Sequence, residues 1–224
     1  MSALSWEAPC NILLEAERIV DERSPYTARE EWALTKRHHA AWCEPIIYAM
    51  QGLPTASRVL DIGPGYGALA VAATLLGHEV DALELFLMAL ERPGVRWVRG
   101  DVCNRMEFVT ATKCYDLAIM AEVLEHLTTD PAEAFANIAS ALKPGAQFLG
   151  STPMPGVWPG PEPTSGDLPK WTPEHVPEDR HVRLYSQDDV ADLLLGAGFE
   201  PLSFEPLGSP PYRYLWRAQK AVAA

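Results

Sequence analysis

The sequence predicts an α/β fold in which a mostly parallel sheet is covered by helices on both faces. Two observations support this fold class. Short apolar runs of strand length alternate with helical patterns from residue 58 onward, and such alternation is typical of parallel sheets. The chain has 224 residues, of which 48% are hydrophobic and 21% are charged, so it can bury a substantial core and is not a disordered chain. Ligands of such sheets bind at the carboxyl ends of the strands, and the functional residues are expected there.

Residues 1–54 are predicted to form an N-terminal helical cap, and residues 55–224 the α/β domain. Apolar residues in the cap recur at helical spacing. Ser24-Pro25 separates two helices, because the residue before a proline is pushed out of the helical region of backbone space. The second of these helices is expected at about Ala28–Met50.

The α/β domain is predicted to consist of alternating strands and helices followed by a closing pair of strands. The predicted strands are Arg58–Ile62, Glu79–Leu85, Val95–Val98, Tyr115–Met120, a strand that begins at Gln147–Gly150, Phe199–Phe204 and Tyr212–Trp216. The predicted helices are Ala68–Leu76, a helix that Asp130-Pro131 opens and that ends near Leu142, and a helix that Ser186 caps and that ends near Gly196. A turn is expected at Lys143-Pro144-Gly145.

A long irregular loop is expected at residues 151–178, which contain eight prolines and three glycines. Irregular segments of this length inside a compact domain usually serve as lids or binding loops. Trp158 and Trp171 favour a loop that packs against another part of the protein. A disordered insertion remains the alternative.

The strongest functional signal is a glycine-rich turn between the first predicted strand and the helix that follows it. Glycines at alternate positions let the backbone approach a ligand where side chains would collide. The carboxylate before the turn would repel a pyrophosphate and attract a cationic ligand. The residues of this signal are Asp61, Gly63, Pro64, Gly65 and Gly67.

Two more acidic residues end the next two predicted strands. Glu84 follows the turn by about twenty residues, where a carboxylate can accept hydrogen bonds from both hydroxyls of a ribose. Asp101 follows the third strand and can accept a hydrogen bond from an adenine amino group. Because the carboxyl ends of parallel strands meet at one edge of the sheet, these acids are expected to face one crevice.

With these features, the sequence from about Arg58 to Trp216 resembles the class I S-adenosylmethionine-dependent methyltransferases. Tyr115–Leu127 resembles the fourth-strand motif of this family, and Leu142–Ala146 resembles the turn before its fifth strand. The resemblance implies a Rossmann-like, seven-stranded sheet whose last strand is antiparallel, with S-adenosylmethionine as co-substrate. The cofactor-binding residues that it implies are Asp61, Gly63, Pro64, Gly65, Gly67, Glu84, Leu85, Asp101, Val102, Ala121 and Glu122.

The acidic stretch after the fourth predicted strand supports two interpretations. In the family this stretch lines the cofactor or its entrance, with the histidine near the active site. Glu122, Glu125 and His126 would also share one face of a helix, and similar clusters in some quinone O-methyltransferases and small-RNA 3′-end methyltransferases bind a divalent ion. His175 or His181 would then be the fourth ligand. The first interpretation is preferred, and no metal site is assigned.

His126 and His181 are the candidate catalytic residues. In relatives, a His-x-Arg-x-aromatic stretch like the one that begins at His181 often closes the acceptor pocket. His38 and His39 lie on the predicted N-terminal helix, where a surface or interface role is the more common one. Four tryptophans are candidates for lining the acceptor pocket, namely those at positions 32, 42, 158 and 171.

The charge of the chain favours a small-molecule methyl acceptor. Lys and Arg number 18 and Asp and Glu number 30, so the formal net charge is −12, which disfavours nucleic acids and anionic membrane surfaces as partners. The fourth predicted strand ends in Met-Ala-Glu-Val and lacks the Asn/Asp-Pro-Pro-Tyr/Phe sequence of nucleic-acid amino methyltransferases.

The sequence shows no secretory leader and no apolar run that approaches the roughly 20 residues of a membrane span. Its four cysteines are far apart and form no Cys-x-x-Cys pair, which argues against a zinc ribbon or a dithiol redox centre. The expectation is a cytoplasmic protein that is a monomer or a homodimer.

Two alternative functions remain open. An NAD(P)-dependent reductase is one, because Gly63-x-Gly65-x-x-Ala68 also matches the dinucleotide-binding fingerprint. None of the seven tyrosines is followed by a lysine four residues later, which argues against a short-chain reductase. The other is a regulator that binds S-adenosylmethionine without catalysis.

Overall fold

A computed structural model describes residues 8–23, 42–85, 94–104, 114–157, 181–208 and 211–222. The strands are β1 (Arg58–Ile62), β2 (Glu79–Glu84), β3 (Val95–Arg99), β4 (Tyr115–Ala121), β5 (Leu142–Pro153), β6 (Phe199–Leu207) and β7 (Arg213–Lys220). The helices are α1 (Pro9–Arg23), α2 (residues 42–51), α3 (Ala68–Leu75), α4 (Pro131–Ala141) and α5 (Gln187–Gly196), and a single 3₁₀ turn spans Leu124–His126. No helix within these ranges has the length and apolar character needed to span a bilayer.

The strands form one seven-stranded sheet in the order β3-β2-β1-β4-β5-β7-β6. β1 pairs in parallel with β2 and β4, whereas β7 pairs antiparallel with both β5 and β6. This confirms the predicted seven-stranded sheet with an antiparallel last strand. The chain runs outward from β1 to β3 and then returns to β4 beside β1. This reversal leaves a crevice at the carboxyl ends of β1 and β4, which is where α/β sheets bind ligands.

The helix starts that the sequence predicted are confirmed. The Asp130 side chain accepts a hydrogen bond from the Ala132 backbone N–H at 2.9 Å, and Pro131 occupies the first position of α4. Ser186 and Asp189 form a reciprocal capping box at the start of α5. Both arrangements satisfy backbone donors that the first turn of a helix leaves without partners.

Two apolar clusters cover the two faces of the sheet. α4 and α5 pack on one face, where the rings of Phe135 and Phe148 lie 5.3 Å apart between their centroids. α1, α2 and α3 pack on the other face, with Ile12 and Ile46 fully buried. The described parts of the predicted N-terminal cap therefore contribute to the same core as the sheet.

The predicted start of the long loop is wrong. Ser151, Thr152 and Pro153 belong to β5, where they pair with residues 213–215 of β7, and Ser151 and Thr152 are fully buried. The long-range pairing with β7 extends the strand into a proline-rich segment that local sequence marks as irregular. The predicted turn at 143–145 also lies inside β5, as a bend at Gly145 (φ 77°) between two stretches that pair with β4.

Several predictions fall outside the described residues. They are the first part of the predicted second helix, residues 158–178 of the predicted loop, His38, His39, His175, and the tryptophans at positions 32, 158 and 171.

Candidate functional site

A cavity of about 220 Å³ opens at the carboxyl ends of β1 to β4. Its wall comes from the four segments that follow these strands. Six of the predicted cofactor-binding residues line it, namely Gly63, Glu84, Leu85, Asp101, Val102 and Glu122. The candidate catalytic residue His126 lines it as well. The structure therefore brings the predicted acids and one histidine to a single cavity.

The glycine turn forms the part of the wall that follows β1. Gly63, Gly65 and Gly67 all have left-handed backbone conformations, with φ of 62°, 54° and 86°. A Cβ atom on Gly63 would lie 2.5 Å from a methyl group of Val123, so glycine is needed there for space as well as for its backbone angle. Pro64 accepts a backbone hydrogen bond from Gly67 at 2.8 Å and closes the turn. Pro64, Gly65 and Gly67 shape the turn without lining the cavity.

Asp61 ends β1 directly behind the turn and is 2% exposed. Its carboxylate accepts a hydrogen bond from the backbone N–H of Ala70, while Oδ2 has no hydrogen-bond partner among the described residues. Burial and the nearby carboxylate of Glu84 raise the pKa of Asp61 to about 8. Asp61 is not a lining residue of the cavity, and neither is the predicted Ala121.

The carboxylates of Glu84 and Asp101 stand at the ends of β2 and β3. The Gly100 backbone N–H donates to the Glu84 carbonyl at 3.1 Å and holds the two strand ends together. Asp101 Oδ1 accepts the backbone N–H of Cys103 at 2.8 Å, which fixes the orientation of this carboxylate. Both of these acidic residues therefore line the same cavity.

The stretch after β4 is not the α-helix that the spacing of its acidic residues suggested. Glu122 has a left-handed backbone (φ 56°), and only one 3₁₀ turn follows it. As a result Glu122 points to different partners from Glu125: its Oε1 accepts the Ser151 hydroxyl at 2.7 Å, and its Oε2 lies 3.3 Å from Nη2 of the buried Arg213. The predicted set of Glu122, Glu125 and His126 on one helix face is therefore wrong.

Glu125, His126 and His181 come together instead. The rings of the two histidines are 5.0 Å apart between centroids and meet edge to face. Glu125 Oε1 lies 3.9 Å from His126 Nε2, and one ligand atom from each of the three residues lies within 4.8 Å of the others. The Val182 backbone N–H donates to the Glu125 carbonyl at 2.7 Å and ties His181 to the 3₁₀ turn. The structure thus places the two candidate catalytic residues in contact.

Buried residues that no sequence pattern predicted support this cluster. Glu125 is 1% exposed, and its Oε2 accepts the Thr152 hydroxyl at 3.0 Å. Burial, followed by the charge of Glu122, raises the pKa of Glu125 well above its usual range. Thr152 and Arg213 carried no local signal, because each lies far along the chain from the acidic residue that it contacts.

The match to a family model decides the class of the protein. The model described as a methyltransferase domain matches residues 34–203, which is most of the chain. The chain belongs to the methyltransferase domain family. The predicted methyltransferase family is therefore confirmed. The family match does not favour a nicotinamide-dependent reductase.

Solved structures show the same fold. The 1,6-didemethyltoxoflavin-N1-methyltransferase of Burkholderia thailandensis is 20% identical over 99% of this chain and 93% of its own, with a TM-score of 0.61. An S-adenosylmethionine-dependent methyltransferase from Mesorhizobium loti is 20% identical over 79% of this chain and 96% of its own, with a TM-score of 0.60. No curated protein sequence is significantly similar to the chain.

The cyclase SpnF is another structural neighbour, 16% identical over 80% of each chain with a TM-score of 0.60. One fold can host several chemistries, so the fold alone does not assign methyl transfer. The class of this protein rests on the family match, and the residues of the site determine the details of its reaction.

Proposed function

We propose that this methyltransferase transfers a methyl group from S-adenosylmethionine to a small-molecule acceptor that binds beside His126. The observation that carries the proposal is the arrangement of one cavity. Glu84 and Asp101 form its nucleoside-binding wall, and His126, in contact with His181, stands on the wall that follows β4.

The first wall suits the adenosyl part of the donor. The Glu84 carboxylate can accept hydrogen bonds from both ribose hydroxyls, and Asp101 can accept one from the adenine amino group. Leu85 and Val102 line the same part of the cavity and supply apolar contacts for the flat base. Gly63 lines the cavity with backbone and no side chain, and Val123 packs where its Cβ would lie.

The second wall suits an acceptor that loses a proton. S-adenosylmethionine supplies an already activated methyl group on a positively charged sulfur. The protein therefore contributes alignment and exclusion of water. An acceptor hydroxyl or amine must give up a proton, and His126 is the group on this wall that can take it. Oε1 of the buried Glu125 lies 3.9 Å from His126 Nε2.

A divalent cation is the second candidate for this wall. Glu125, His126 and His181 offer a carboxylate oxygen and two imidazole nitrogens within 4.8 Å of one another, and these are ligand types that zinc and related ions accept. The assignment without a metal is preferred, because Glu122 is held away by Ser151 and Arg213 and only three ligands remain among the described residues. Full activity after exhaustive chelation, with no metal detected in the purified protein, is the expected result. Loss of activity that a divalent ion restores would assign the cluster to a metal.

The net charge of the chain and one structurally similar enzyme support a small-molecule acceptor. The net charge of −12 disfavours a polyanionic acceptor such as nucleic acid. The Burkholderia thailandensis enzyme was solved with 1,6-didemethyltoxoflavin and S-adenosylhomocysteine bound.

None of the four cysteines forms a disulfide, which supports the proposed cytoplasmic location. We propose a monomer or a homodimer.

The proposal is tested by following S-adenosylhomocysteine formation with a panel of small phenols, amines and carbon acids. Turnover that depends on one acceptor class supports the proposal. Donor binding without turnover for any acceptor would favour the regulator instead. His126→Ala is expected to lower turnover by roughly 100-fold or more, the contribution typical of a general base, and to leave donor affinity within about threefold. Glu205→Gln, on the exposed surface of β6, is the control and should change neither quantity.

A further inference from the structure

Glu122, the residue that directly follows β4, has a backbone conformation that residues with a side chain rarely adopt. Its φ is 56°, in the left-handed region, where the Cβ atom crowds the following carbonyl oxygen. A residue other than glycine stays in this region only where its surroundings hold it there, and such residues concentrate at functional sites. Glu122 lines the cavity, so the contacts that hold it bear on the site.

Ser151 and Arg213 hold Glu122 at both its backbone and its side chain. The Glu122 backbone N–H donates to the Ser151 carbonyl at 2.9 Å, and its Oε1 accepts the Ser151 hydroxyl at 2.7 Å. Its Oε2 lies 3.3 Å from Nη2 of Arg213. Ser151 is fully buried and Arg213 is 7% exposed, and polar contacts are stronger in such poorly solvated surroundings than in water.

The sheet fixes the positions of these two residues. Ser151 belongs to the last part of β5, and Arg213 begins β7, where it pairs with Pro153 of β5. The Arg213 guanidinium also lies over the Tyr212 ring, 4.6 Å from its centroid. Groups that strands carry are held more precisely than groups on loops. The contacts to Glu122 therefore come from a rigid part of the fold.

The left-handed turn at Glu122 directs the chain toward the glycine turn and the cavity. Val123 comes next and packs against Gly63, with a methyl group 2.5 Å from where a Cβ atom on Gly63 would lie. The Val123 carbonyl accepts the backbone N–H of His126 at 3.0 Å and closes the 3₁₀ turn. Leu124, in the same turn, is fully buried. The place of His126 at the cavity therefore depends on the conformation of Glu122.

Building on the function proposed above, we propose that Arg213 and Ser151 are positioning residues of the methyl-transfer site. They hold Glu122 in its left-handed conformation, and this conformation sets His126 against the bound acceptor. Neither Arg213 nor Ser151 lines the cavity, so both act through Glu122. A shift of about 1 Å at the reacting groups is enough to lower turnover by roughly 100-fold.

The direct test compares Glu122→Gly with Glu122→Ala, using the acceptor that the panel above identifies. Both substitutions remove the same carboxylate and every contact that it makes, but only glycine adopts the left-handed conformation without a steric penalty. The glycine variant should turn over roughly tenfold faster than the alanine variant, although both should be slower than the wild type. Equal turnover by the two variants would overturn the inference.

Arg213→Met keeps a long side chain for packing and removes the guanidinium. Its turnover should fall by roughly 10-fold to 100-fold, whereas donor affinity should stay within about fivefold of the wild type. Arg217→Met is the matched control, because Arg217 lies four residues farther along β7 and pairs with the exposed Glu205 at 3.1 Å. The control should keep wild-type turnover. Wild-type turnover by folded Arg213→Met would overturn the inference.

Combining Arg213→Met with Glu122→Gly tests whether Arg213 acts through Glu122. Glycine adopts the turn unaided, so the additional loss of turnover should be below about threefold. A loss as large as in the wild-type background would show that Arg213 acts on the reaction by another route, which would overturn the inference. All variants are compared well below their Tm, so that loss of folded protein does not lower turnover.

NMR signals of the His126 ring give a readout that needs no acceptor, and their absence in His126→Ala identifies them. They should stay close to the wild-type positions in Glu122→Gly and be displaced in Glu122→Ala and in Ser151→Ala, which replaces Arg213→Met if that variant fails to fold. Equal displacement in the glycine and alanine variants would overturn the inference. Absence of turnover by the wild type with every acceptor would instead overturn the proposed function, and the His126 signals would still decide the inference.

Discussion

Replacing Asp61 with asparagine keeps the size of the side chain and removes a carboxyl that the fold buries without a cationic partner. The folded protein raises the pKa of Asp61 from an ordinary 3.8 to about 8, chiefly through burial and then through Glu84. Between these two values the folded state binds a proton that the unfolded state has released. The free energy of unfolding therefore falls as pH rises through this window, and the loss is complete once Asp61 is ionised in the folded protein.

The size of the effect follows from the same values. One proton held only by the folded state changes stability by ~1.4 kcal/mol per pH unit. From pH 6 to pH 8, with the group half ionised at the upper end, the wild type should lose about 2 kcal/mol through Asp61. For a protein of this size that corresponds to a fall of roughly 4–8 °C in Tm. Asp61→Asn lacks this contribution.

Urea unfolding of the ligand-free wild type and of Asp61→Asn at pH 6, 7, 8 and 9 measures the difference directly. The variant should gain stability relative to the wild type as pH rises, and the gain should level off above pH 8. Glu125, whose pKa is also raised by burial, is present in both proteins, so its contribution cancels. Two results would refute the reasoning: unfolding free energies of the two proteins that change in parallel with pH, or a variant that gains stability relative to the wild type as pH falls.

Four other substitutions test the site and the packing behind it. Glu84→Ala and Asp101→Ala should each weaken S-adenosylmethionine binding by roughly 10-fold to 100-fold, the range of one or two hydrogen bonds to a charged group, with Tm unchanged; unchanged affinity in both would show that these acids are misassigned. Gly63→Ala places a Cβ 2.5 Å from a valine methyl group at a positive φ, so calorimetry should show reduced donor affinity and a thermal melt a reduced Tm. Gly150→Ala would place a Cβ 2.0 Å from the Trp216 ring, and urea unfolding should show a loss of ~3 kcal/mol or more because the core cannot expand at low cost; a loss below 1 kcal/mol would contradict the packing.

Local signals predicted much of the sheet. The bounds of β1 agree with the prediction residue for residue, and the starts of α4 and α5 follow the caps at Asp130 and Ser186. These features depend on apolar runs and on hydrogen bonds between residues close in sequence, which is why a single chain reveals them. The cavity-lining acids Glu84 and Asp101 were predictable for a related reason, since each follows a strand whose carboxyl end has to face the crevice.

Long-range contacts account for what the sequence did not predict. β5 extends to Pro153 because β7, some sixty residues later, pairs with it. The regular spacing of acids after β4 suggested a helix, but the left-handed backbone of Glu122 directs its carboxylate to Ser151 and Arg213. Such partners depend on the finished topology, and no pattern within a short window of sequence identifies them.

A crystal structure of the protein with S-adenosylhomocysteine tests the central claim most directly. The account predicts the nucleoside in the cavity at the ends of β1 to β4, with both ribose hydroxyls within hydrogen-bond distance of the Glu84 carboxylate and the adenine amino group near Asp101. A nucleoside bound anywhere else, or one whose ribose makes no contact with Glu84, would contradict it.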